Sequence, residues 1–251
     1  MSDSSSLPMA AGSSVPLLRP WLAALALAAM AGSAQAADAI TDALQQAYVP
    51  YRAALFRTNS KSQSESEQAL AAARRSLAGV VAQWAAKPAA PYDRDPEFAA
   101  TLKKVDEVYA RAQAQVAKAE LAEAHETLEG ARDLLAELRH RNGVVTFSDH
   151  MNAYHEVLEH VLIGGPKTLD SPNGLLRLAG DVGVLDHLAQ RLGSQADAAL
   201  MANPEFVKML AALKASVATL KDAVLRQDTA AVRDAIGGLK KPYSQMFLKF
   251  G

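Results

Sequence analysis

Beyond residue 36, apolar residues recur at three- and four-residue spacing along almost the whole chain, and alternation with period two is nearly absent. Such spacing lays the apolar side chains on one stripe of a helix, whereas a half-buried strand needs strict alternation. The expected fold class is therefore all-α. Aromatic residues, which strands favour, make up only 6% of the sequence, in keeping with that class. Helix-sized periodic stretches run over residues 39–59, 65–86, 96–116, 119–141, 148–163, 174–200, 204–226 and 229–250. Pro88, Pro91, Asn142-Gly143, Gly164-Gly165-Pro166, Pro172 and Pro204 fall between them, where helices are expected to stop and start.

The chain also resembles itself. Asp95-Pro96-Glu97-Phe98 returns 108 residues later as Asn203-Pro204-Glu205-Phe206, each setting a capping residue before a proline at the first helical position. At the same offset Leu102 meets Leu210, Val105 meets Leu213, Val116 meets Val224 and Leu128 meets Ile236. Upstream, Tyr48 and Leu55 meet Tyr154 and Val161 after a two-residue slip. The expected organisation is a tandem duplication of a four-helix, up-down-up-down bundle unit, with the first unit over residues 37–143 and the second over 144–251. Units of this length can fold alone or merge into one longer bundle.

Arg19 precedes the apolar run Trp21 to Ala31, which is followed by Ala34-Gln35-Ala36 with small residues at its ends. This is the layout of a secretory signal peptide over residues 1–36. The run of 11 apolar residues falls short of the roughly 20 that a spanning helix needs. The stretch ahead of Arg19 is long for a leader, and Met9 offers a second start. No later stretch is apolar enough to cross a bilayer, so an exported protein is expected, periplasmic in a bacterium. Cysteine is absent, which removes disulfides, thiolate metal sites, covalently attached haem and cysteine nucleophiles. With 26 Lys and Arg against 27 Asp and Glu, and no long run of one sign, no nucleic-acid partner is expected.

The chemistry concentrates in the histidines. Four of the six, His140, His150, His155 and His160, fall within 21 residues. With Ser148 or Asp149 as N-cap, the segment to Ile163 reads as one helix whose core stripe is Phe147, Met151, Tyr154, Leu158 and Val161. His155 flanks that stripe and shares a face with Met151 and Glu159 at i, i+4, i+8 spacing. An imidazole with a thioether or carboxylate one turn away is a usable pair of metal ligands. Glu156 and His160 form a second pair on the outward face, and His150 flanks the other edge of the stripe. A bundle site needs ligands from a second helix, and His125, beside the stripe of Leu121, Ala124, Leu128 and Leu135, is the best placed. Thioether with imidazole favours copper, and imidazole with carboxylate favours zinc or nickel. Glu156 and His160 read more readily as a solvated helix pair than as ligands, and His140 between two arginines suits a helix C-terminus. At the duplicated positions Val49 stands for His155 and Arg233 for His125, so the histidines do not belong to the repeat.

No G-x-x-x-x-G-K-S/T, G-x-G-x-x-G, G-x-S-x-G or H-E-x-x-H pattern occurs. His155 and His160 miss the last by one residue, and five residues turn a helix through about 140°, too far for both to chelate one ion. Glu137-Leu138-Arg139-His140 is the single Glu-x-x-His, so a di-iron carboxylate bundle lacks half its ligands. No nucleophile and base can be paired by spacing, and no enzymatic activity is expected. The expected function is that of an exported helical bundle binding a transition-metal ion for storage, sensing or delivery. Two other readings stand beside it. One is a cofactor-free interaction module of the cell envelope, meeting a protein partner or a second copy. The other is a bundle for non-covalent haem b, which predicts an apolar slot beside His155 or His125. In that reading Met246 is an isolated ligand candidate on a last helix interrupted by Pro242.

Overall fold

A computed structural model of the chain describes residues 38–251, and the expected signal peptide lies outside the described residues. Among them only helices form: α1 (Ala39–Asn59), α2 (Gln63–Trp84), a 3-10 turn (Tyr92–Arg94), α3 (Phe98–Ala117), α4 (Leu121–Arg141), α5 (Phe147–Leu169), α6 (Gly174–Gln195), α7 (Ala198–Ala202), α8 (Pro204–Leu225), α9 (Thr229–Gly238) and α10 (Lys240–Phe250). No described helix is long and apolar enough to cross a membrane.

Each long helix buries the stripe its periodicity marks out. On α1 it is Ile40, Leu44, Tyr48, Tyr51 and Leu55, and on α3 it is Phe98, Leu102, Val105, Tyr109 and Val116. α1 packs on α2, α2 on α3, α3 on α4 and α4 back on α1, closing a ring around these side chains. α5 packs on α6, α6 on α8, and α8 on α9 and α10, both of which return to α5. α10 also packs on α1, and residues 39–251 cluster as one compact unit.

Three elements depart from the periodicity, each for a local reason. α5 runs through Gly164-Gly165-Pro166 to Leu169 instead of stopping at Ile163. A Cβ on Gly165 would lie 3.1 Å from Ile236 Cδ1 on α9 and 3.5 Å from Leu178 Cδ1 on α6, so the glycine serves close approach between helices. The stretch 174–200 breaks at Ala196, whose backbone is extended, and Asp197 caps α7 by accepting from the Leu200 amide at 2.7 Å. The stretch 229–250 is interrupted after Gly237-Gly238, where helix propensity is low. The restart at Lys240 places Pro242 in a first turn, where an amide has no helical partner to lose, so Pro242 does not interrupt α10.

The two Pro-Glu-Phe motifs also differ. Asn203 caps α8, its side chain accepting from the amides of Glu205 at 2.9 Å and Phe206 at 3.3 Å. Asp95 instead spends its carboxylate on Arg141 at 2.9 Å and Asn142 at 2.8 Å, as well as on the Glu97 amide, and α3 begins only at Phe98.

α5 starts one residue earlier than the sequence suggests, because Thr146 caps it. The Thr146 amide and hydroxyl both donate to Asp149 Oδ2, at 2.8 and 2.9 Å. The same carboxylate accepts from Arg139 on α4, whose Nε lies 3.0 Å from Oδ2. Arg139 and Asp149 are 1% and 5% exposed. Burial alone would raise the Asp149 pKa, but the Arg139 hydrogen bonds and charge outweigh it and hold the carboxyl below its usual range.

Candidate functional site

Between α4 and α5 the backbones do not pack closely, and long polar side chains bridge the interval. Arg139 reaches Asp149 at one end. Two turns earlier on α4, Arg132 reaches His155, its Nη1 donating to Nδ1 at 3.1 Å. The spacing of His125, Glu129 and Arg132 at i, i+4, i+7 puts all three on the face of α4 that looks into this gap, while His155 and Glu159 answer from α5. α1 and α10 complete the surroundings. Tyr243 on α10 stacks on the His155 ring, with centroids 5.1 Å apart, and also on Tyr154 and Phe247.

Ligand atoms of Glu129, His155 and Glu159 lie within 4.8 Å of one another. His125 approaches the group with Nε2 at 3.8 Å from Glu129 Oε1. Its ring is fixed by its other nitrogen. Nδ1 is 3.1 Å from the Leu55 carbonyl, which can only accept, so the proton sits on Nδ1 and the Nε2 lone pair faces Asn59 and Glu129. His155 carries the opposite tautomer, because a guanidinium can only donate and therefore claims the lone pair of Nδ1.

Burial sets the protonation of the group. It pushes His155 down to about 4, helped by the charges of Arg132 and Lys240 and by His125 nearby. It also lowers His125, against the Leu55 carbonyl and Glu126. It raises Glu129, with the neighbouring carboxylates Glu159 and Glu126 adding to the effect and Arg132 opposing it. Both imidazoles are thus neutral near pH 7 and present lone pairs rather than charge.

Arg132, His155 and Glu159 form a partition. On one side lies a cavity of about 350 Å3, walled by Leu55, Phe56, Leu158, Leu162 and Phe247, with Lys240 at its edge. On the other lies a polar cleft of about 500 Å3 that also reaches His140, Asp149, Asn152 and Glu156. Asn152 lines the cleft beside the Tyr48 hydroxyl of α1.

Of the residues expected to bind metal, the structure brings His155, Glu159 and His125 to one place. Met151 is sealed in the core and lines neither the cavity nor the cleft. His150 sits near Arg191 of α6, which together with burial lowers its pKa. His160 turns to α6 as well, 3.6 Å from Asp181, and is 65% exposed. Glu156 lines only the cleft. Two residues escaped the sequence reading. Glu129 stands one turn from His125 in the same i, i+4 relation that singled out His155 and Glu159, so the signal was present. Arg132 carried no such signal, because periodicity does not tell which cation spans a gap between helices. No protein-family model, curated protein or solved structure matches the chain.

Proposed function

We propose that this chain is an exported protein, built from two copies of a four-helix unit, that binds one divalent transition-metal ion between α4 and α5 for storage, sensing or delivery. The observation that carries the reading is the convergence of Glu129, His155 and Glu159 within 4.8 Å from two different helices. His125, with its Nε2 lone pair turned toward Glu129, is a fourth donor within reach of a small shift. Nitrogen and carboxylate donors suit zinc, nickel or copper(II), and the burial of Met151 speaks against a thioether ligand for copper(I). The closed rings of α1 to α4 and of α5, α6, α8 and α9 with α10 support the duplicated unit.

Arg132 is the element this reading must accommodate. An ion bound at His155 Nδ1 takes the place of the Arg132 Nη1 hydrogen bond alone, and the Arg132 Nε bond to Asp133 at 3.1 Å holds the guanidinium beside the site.

The test is metal content and isothermal titration with zinc, nickel and copper on residues 37–251 purified without an affinity tag. One equivalent of ion is expected, with a loss of affinity of at least about tenfold in both His155→Ala and Glu129→Gln, a cost of about 1.4 kcal/mol each. Absence of any ion at micromolar concentration overturns the reading. Visible spectra with added haemin belong to the same experiment, because the cavity touches both His155 and His125. A Soret band lost in His155→Ala would replace the bare ion with haem.

A further inference from the structure

The three converging donors, Glu129, His155 and Glu159, leave a transition-metal ion with at least one open position, since zinc takes four ligands. What can fill it depends on what surrounds the cluster. Toward the cleft the surroundings are polar and suit hydrated ions in transit. Toward the cavity they are mainly apolar, and Leu158, Leu162 and Phe247 offer water no hydrogen bonds. The charged side chains lining that cavity are Arg132, Lys240, Glu129 and Glu159, whose formal charges balance. A divalent ion therefore leaves the polar end of an apolar cavity with an excess of two positive charges. At about 350 Å3 the cavity is at the small end of the range for ligand pockets. Arg132 Nη2 makes no hydrogen bond within the described residues, so two donors beside the ion remain unspent.

Resting on the metal reading, we propose that the ion is completed by an exogenous small molecule with a carboxylate head and an apolar body. The head binds the ion next to Arg132 and Lys240, and the body lies along Phe56, Leu158, Leu162 and Phe247. The metal ion creates the electrostatic half of this site and the cavity supplies the other half, so neither alone retains the ligand well. The protein is then a carrier of a metal–carboxylate complex rather than of a bare ion.

The experiment titrates octanoate, and octanol as its uncharged counterpart, into zinc-loaded and zinc-free protein, with zinc content measured in the same samples. The expected result is octanoate binding at least about tenfold tighter to the zinc-loaded form, with no such gain for octanol. Leu162→Trp, which fills the cavity from a partly buried position, is expected to lose octanoate while keeping its zinc. Lys240→Met, at an exposed position, is expected to weaken octanoate severalfold and leave zinc unchanged, and it carries the test if Leu162→Trp does not fold. Equal octanoate affinity with and without zinc overturns the proposal, as does octanol showing the same gain or octanoate binding indifferent to the variants. A protein that takes up no zinc fails the metal reading itself, which the zinc content shows directly, and the present proposal falls with it.

Discussion

At Nδ1 of His155 the Arg132 guanidinium holds the lone pair that the proposed metal ion would need. Removing the competitor is expected to help the ion, so Arg132→Met should tighten zinc binding by about tenfold, on the order of 1.4 kcal/mol. Isothermal titration checks this, and weaker binding in the variant would show that Arg132 orients His155 instead of excluding the ion. Protonation of the same ring gives a second expectation. The folded protein keeps His155 neutral down to about pH 4, whereas the unfolded chain protonates it near 6.5. The unfolded state therefore binds more protons between those values, and stability, complete above about pH 6.5, declines as pH falls toward 4. Urea midpoints measured across that window should fall with acid in the wild type and less steeply in His155→Gln. Much of this chemistry was open to the sequence: His125, His155 and Glu159 follow from helical spacing, and Glu129 from the same rule applied to α4. The tautomers and Arg132 were not, because both depend on what faces a residue from another helix.

Helices and the joints between them show where local pattern suffices. A stripe of apolar residues at 3.6-residue period marks α1 through α4 and α8 almost to their ends, since burial of one face is what makes these helices stable. Glycine and proline were poorer guides. The sequence reads Gly164-Gly165-Pro166 as a stop, yet two of its members have separate structural reasons to sit in a helix or to be replaceable there. Gly164 is only loosely surrounded, with His160 Cε1 at 3.8 Å from an added Cβ, so Gly164→Ala should stabilise the protein by about 0.5–1 kcal/mol through helix propensity. Gly165 faces Ile236 and Leu178, and Gly165→Leu should destabilise by about 1–3 kcal/mol through overpacking. Thermal denaturation of the pair separates the two effects, and similar shifts in both would show that α5 and α9 are not in close contact. At the joint between α4 and α5, Arg139→Met strands the buried Asp149 carboxylate and is expected to cost about 3–5 kcal/mol.

On the scale of the molecule, the donors come from both sides of one seam, Glu129 and His125 from α4 and His155 and Glu159 from α5. An ion held across this seam, as proposed, by Glu129, His155 and Glu159 stabilises the folded state by mass action, by about 2.7 kcal/mol at a free concentration one hundred times Kd. Zinc should therefore raise the melting temperature of the wild type and leave that of His155→Ala nearly unchanged, and a chelator should reverse the shift. The architecture behind this was half visible beforehand. The all-helical class follows from periodicity, but the gap between α4 and α5 does not, because it reflects what bulky polar side chains at Arg132 and Arg139 prevent, and spacing along a chain does not report on distance across it. That gap has a further consequence. Glu129 stands on one helix and His155 and Glu159 on the other, so any movement of α4 away from α5 divides the cluster without altering either half.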